Sequence, residues 1–97
     1  MCYEIILALE AANDLRRFNA HLRAEVRDAL ERHLRHEPTK ISKSRIKRLR
    51  GLSRPQYRLR VGEIRIFYDV SNDAVEVLAI VAKSQIEAWL REAGESI

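Results

Sequence analysis

The chain has 97 residues, 46% of them apolar and 33% charged, and a net charge of +4. That is room for a single small core over residues 1–97, with a composition that argues against disorder. No apolar run approaches the roughly 20 residues a bilayer requires and no basic-then-apolar leader opens the chain, so a cytoplasmic protein without membrane contact is expected.

Tyr3–Leu7 is a short apolar run that suits a first strand. Ala11, Ala12, Leu15 and Phe18 then recur at helical spacing, and Leu22, Val26, Ala29, Leu30 and Leu34 form a second stripe. The break falls at Asn19-Ala20-His21, where Asn19 can end one helix or cap the next, and Pro38 closes the pair. Such a helical hairpin needs a sheet to cover.

Gln56–Val70 reads as two β-rich runs joined at Gly62-Glu63, a two-residue turn with glycine in first place. A turn follows at Ser71-Asn72-Asp73. Val75–Val81 is apolar on both faces apart from Glu76, the pattern of a central strand. Ser84-Gln85-Ile86-Glu87 has the form of a capping box opening a last helix through Ile86, Trp89 and Leu90, with Gly94 as its stop. The predicted order is β-α-α-β-β-β-α. It describes an α+β fold with a small, mainly antiparallel sheet, the helical hairpin on one face and a short C-terminal helix.

Alternation assigns the sheet faces. Tyr57, Leu59, Ile64, Ile66, Tyr68, Val75, Val77 and Ala79 are expected toward the helices, and Tyr57 and Tyr68 therefore read as core. Arg58, Arg60 and Arg65 are expected on the other face, above an apolar floor of Phe67, Leu78 and Ile80. If Val61 pairs with Ile64 across the turn, Arg60 faces Arg65, with Arg58 following on the same face. Like charges facing across a ladder cost about 0.2–1 kcal/mol. An anion bound on that face is the simplest reason to keep them; ion pairs with Glu63, Asp69 or Glu76 are the competing account.

The charge is segregated. Lys40, Lys43, Arg45, Lys47, Arg48, Arg50, Arg54, Arg58, Arg60 and Arg65 stand against Glu63 alone, whereas the chain from Asp73 onward is mainly acidic. A basic middle of this density is an electrostatic footprint for nucleic acid or an acidic protein. Cys2, the one cysteine, has no intrachain partner. His21, His33 and His36 lie in the helical hairpin without companions that complete a metal site, so no metal or cofactor is expected.

Residues 47–70 resemble the central signature of the RelE/ParE toxin superfamily, in which a basic K-L-x-G segment leads into Y-R-x-R-x-G-x-x-R-x-x-Y. Gly51 and Gly62 fall at the family's two glycines, and the order of elements matches along essentially the whole chain. The resemblance implies the toxin of a type II toxin–antitoxin pair. In the RelE branch it implies an endoribonuclease that cuts messenger RNA on the ribosome and halts translation. The implied partners are a cognate antitoxin and ribosome-bound mRNA, with operator DNA reached only through the antitoxin complex.

By family position, Arg58 and Arg60 match the paired basic residues and Arg65 the arginine after the glycine turn, while Lys83 falls near a basic residue at the end of the last strand. These four are the expected catalytic set, with Lys43, Lys47, Arg48, Arg50 and Arg54 as RNA phosphate contacts. Cleavage through the RNA 2′-hydroxyl needs a proton acceptor, charge on the phosphorane and a proton for the leaving oxygen. Guanidinium forks supply the second. Arginine does not supply the first, which leaves Lys83 as the candidate, since the family's late tyrosine falls near Trp89 and no histidine takes its place. Trp89 reads as an anchor for the last helix. A ParE-like inhibitor of DNA gyrase, without nuclease chemistry, is the alternative from a different class.

Overall fold

The computed structural model describes residues 2–97. β1 (Glu4–Leu7) leads into α1 (Leu9–Arg17) and α2 (Ala20–Ala29), which runs on through a π-helical turn at Leu30–Leu34. Asn19 settles the break: its side chain accepts the Leu22 N–H at 2.8 Å and caps α2. Then come β2 (Ile46–Arg48), β3 (Leu52–Arg54), β4 (Tyr57–Val61), β5 (Ile64–Val70) and β6 (Ala74–Ala82). A 3-10 turn at Lys83–Gln85 opens α3 (Ile86–Ala93), and β7 (Glu95–Ser96) follows.

The main sheet has the order β1-β6-β5-β4-β2, with β1 parallel to β6 and the other pairs antiparallel. β6, apolar on both faces, is central as its pattern requires. The helical hairpin covers one face, where Leu15, Val26, Leu30 and Leu34 meet Leu59, Ile66, Tyr68, Val75 and Val77. Tyr68 is fully buried, its hydroxyl donating to Pro38 O at 2.7 Å and its ring stacked on Tyr57. Burial holds that hydroxyl protonated far above the ordinary tyrosine range.

Four expectations change. β2, β3 and β7 add to the predicted elements: β2 extends the sheet out of the basic segment, and β3 and β7 form a separate two-stranded ladder. Second, β6 carries a bulge at Leu78, since Phe67 pairs with Ala79 while Tyr68 pairs with Val77. The extra residue reverses the alternation beyond it, so Ile80 joins the helix-side core and Ala79 moves beneath Phe67.

Third, the capping box does not form. Ser84 lies within the 3-10 turn, and Gln85 precedes α3 without a side-chain cap. Gly94 does end α3, but by close approach rather than a left-handed cap: a Cβ there would stand 2.6 Å from Leu90 O and 3.3 Å from Leu52 Cδ2. Fourth, the apolar floor is not open. α3 crosses it, and the Trp89 ring stacks on Phe67 with centroids 4.8 Å apart.

Candidate functional site

Four strands bring cations to one end of the far sheet face. Gly62 takes φ +57°, and the resulting tight turn pairs Val61 with Ile64. The register then places Arg60 opposite Arg65, Arg58 opposite Phe67 and Lys47 opposite Arg58. Lys83 begins the 3-10 turn after β6, and its N–H donates to Glu63 O at 2.8 Å across the end of the hairpin. With Lys43, Ser44, Gly62 and Glu63, these five cations line a cleft of about 280 Å³.

The cleft is strongly positive, with six cations against the single carboxylate of Glu63. Among the described residues, none of Lys43, Lys47, Arg58, Arg60, Arg65 and Lys83 takes part in an ion pair. Arg65 is only 7% exposed. Its Nη1 donates to Gly62 O at 2.9 Å and Ile64 O at 3.1 Å, so the guanidinium also braces the turn that positions it. The Nε atoms of Arg58 and Arg65 are buried without a hydrogen-bond partner. Burial, reinforced by Arg58 and Arg60, pushes Arg65 below the ordinary guanidinium pKa, with Glu63 opposing. A phosphate in the cleft would supply the missing counter-charge and acceptors.

The remaining sequence candidates divide. Lys43 and Lys47 reach the cleft. Arg48 turns to the other side of β2, over the Tyr57 ring at 5.1 Å, and donates to Gln56 O. Arg50 is exposed in the bend before Gly51. Arg54 sits at the opposite end of the far face, bonded to Asp69 at 3.2 Å and Glu76 at 3.3 Å. Two of the three carboxylates weighed as partners for the sheet arginines, Asp69 and Glu76, are thus taken by Arg54 instead, and Glu63 forms no ion pair among the described residues.

Ser44 brings the one hydroxyl of the cleft, and no tyrosine or imidazole lines it. Tyr57 and Tyr68 belong to the helix-side layer, and the histidines lie on α2 and just after it. Three lysines lining the cleft, Lys43, Lys47 and Lys83, carry amines able to exchange a proton, and Lys83 is the one joined to the arginine hairpin through its N–H on Glu63 O. Trp89 is held twice, by the Phe67 stack and by Nε1 donating to Glu10 Oε2 at 2.6 Å. Among the described residues no cluster of three or more His, Cys, Asp or Glu side chains could hold a metal.

One carboxylate escaped the sequence reading, and a second was given other partners than it has. Asp14 is buried on α1, where it accepts the Ile80 N–H at 2.9 Å and an Arg17 N–H at 2.7 Å. Its place in the apolar stripe between Ala11 and Leu15 was the available signal. Asp69 accepts the Gln56 N–H at 2.7 Å. Burial raises its pKa, against the lowering effects of that N–H and of Arg54.

Solved structures with this fold include toxin–antitoxin complexes. A RelBE complex from Mycobacterium tuberculosis contains a chain with TM-score 0.69 and 22% identity, over 84% of this chain and 99% of that one. The RelE–RelB complex of Pyrococcus horikoshii gives 0.64 and 23%, over 88% and 99%. That of Methanococcus jannaschii gives 0.64 and 21%, over 87% and 96%. Among curated proteins no sequence matches significantly. The family model for the ParE toxin of the type II ParDE toxin–antitoxin system matches residues 5–87. With its fold shared by RelE toxins and that model covering most of its length, the chain belongs to the ParE toxin family within the RelE/ParE superfamily of type II toxin–antitoxin systems.

Proposed function

We propose that the protein is a ribosome-dependent endoribonuclease that cuts messenger RNA, arrests translation in the cytoplasm and is silenced by a cognate antitoxin. The observation that carries this reading is the like-charged Arg60–Arg65 pair, gathered with Arg58 and Lys83 around one cleft, none of the four in an ion pair among the described residues. Arg58, Arg60 and Arg65 would bind the scissile phosphate and stabilise the charge that grows on its oxygens. Lys83 would exchange the proton with the 2′-hydroxyl or the leaving oxygen, unless the ribosome does so. Lys47 and Lys43 extend the cleft along the RNA backbone.

The second reading, inhibition of DNA gyrase by binding, is favoured by the ParE identity of the matching family model and by a cleft without tyrosine or imidazole. Expression in cells with mapping of mRNA 5′ ends separates the two. Cuts within codons of translated messages are the expected result. DNA breaks with intact messages would replace the nuclease by the gyrase inhibitor.

A further inference from the structure

Lys83 is placed unlike the arginines. Arg58, Arg60 and Arg65 lie inside a hydrogen-bonded ladder, whereas the last pair joining β5 to β6 is Ile64 with Ala82. Lys83 is one residue beyond it, exposed, in a 3-10 turn that no side chain caps. Apart from Lys83 N–H on Glu63 O, the direction of that turn depends on the helix that follows.

α3 is weakly built in its own right. It has eight residues, none of them fully buried, and a helix that short is marginal in water without tertiary anchors. Trp89 is the anchor in its middle. The indole lies within 13° of parallel to the buried Phe67 ring, and its N–H reaches Glu10 on α1. Phe67 in turn is the ladder partner of Arg58. The clamp therefore ties α3 to the floor beside the cleft and, one and a half turns upstream, to the Lys83 turn.

We propose that Trp89 is a positioning residue for the basic cleft: clamped between Phe67 and Glu10, it holds the Lys83 turn so that the ammonium closes around a phosphate held by Arg58, Arg60 and Arg65. The inference rests on the cleft being the RNA site, as proposed above. It assigns Trp89 no contact with RNA.

The test is a double-mutant cycle on the binding of a single-stranded 2′-O-methyl oligoribonucleotide, which cannot be cleaved through the blocked hydroxyl, measured across a range of salt. Lys83→Met should lower the log–log salt slope by about 0.7, one phosphate contact on a single strand. Trp89→Ala should lower it by the same amount. Trp89→Ala with Lys83→Met should show no further loss, while Trp89→Ala with Arg60→Gln should show both losses in full. A general loosening of the fold would make every combination additive.

A wild-type slope in Trp89→Ala, or an additive loss with Lys83→Met, overturns the positioning role and leaves the cleft as RNA site. An unchanged slope in Lys83→Met removes Lys83 from the cleft reading, and the positioning role falls with it. If Trp89→Ala does not fold, Trp89→Phe keeps a ring on Phe67 without the N–H, and Glu10→Gln weakens the same bond. Both should weaken binding modestly and only while Lys83 is present; no effect from either overturns the proposal.

Discussion

Two ends of the far sheet face carry the same arrangement with opposite signs. At one end Asp69 faces Glu76 across β5 and β6; at the other Arg60 faces Arg65 across β4 and β5. The acidic pair is bridged from β3 by Arg54, and Asp69 is further engaged by the Gln56 N–H. The basic pair has no bridging carboxylate, and Arg65 turns to its own hairpin carbonyls. A like-charged pair with a protein counter-ion is a structural joint. The same pair without one has a charge deficit that a ligand can fill, and that difference separates support from site better than charge density does.

The sharpest way to break this contrast is to neutralise one member of each pair. Arg60→Gln should slow single-turnover cleavage on programmed ribosomes about 10²–10³-fold, the usual cost of one transition-state donor. Its melting temperature should hold or rise slightly as the facing repulsion is relieved. Near-normal cleavage with a large drop in stability would make Arg60 a joint instead.

At the acidic end the pattern inverts. Asp69→Ala leaves the Gln56 N–H without its acceptor and Arg54 with one carboxylate, and should cost about 1–3 kcal/mol in urea unfolding. RNA affinity should not move, and a parallel loss of affinity would show that the two ends are coupled.

Arg54→Gln sharpens the comparison by unbridging Asp69 and Glu76, recreating at the acidic end the unneutralised state of the basic one. The expected loss is about 0.2–1 kcal/mol at neutral pH, shrinking on acidification as the carboxylates protonate. A loss independent of pH would mean that Arg54 acts through packing.

The smallest effect is a slope. Asp69 has its folded pKa raised by burial, so the folded state binds more protons than the unfolded one. Its contribution is complete below the unfolded carboxylate value of about 4 and is lost as pH rises through the folded value. Asp69→Asn, which keeps an acceptor for the Gln56 N–H, should flatten that decline. Parallel pH profiles for the two proteins would show that the carboxylate bears no net burial penalty.

Much of the fold was legible because its signals are local. Alternation together with Gly62 gave the register that opposes Arg60 and Arg65, and Asn19 marked its cap through its side-chain chemistry. What escaped depends on distant partners. Arg54 looks like one more cation of a basic run until strands 15 and 22 residues away supply Asp69 and Glu76. β2 is three residues long inside that run, and β3 and β7 form only against each other. The bulge at Leu78 is invisible because β6 is apolar on both sides, so periodicity has nothing to count. Within the cleft, spacing located the arginines, yet only the folded chain sorts Lys43 and Lys47 from Arg48, Arg50 and Arg54.

That bulge acts as a dislocation in an otherwise regular lattice. Before it, odd-numbered Val75 and Val77 face the helices; after it, even-numbered Ile80 does, while Val81 falls beside Arg65. Every side chain from Ala79 to the Lys83 turn owes its side of the sheet to one inserted residue. A substitution at Leu78 changes a side chain where it stands, whereas deleting Leu78 shifts the phase of all that follows, exchanging the core and cleft sides of β6 just where the site begins.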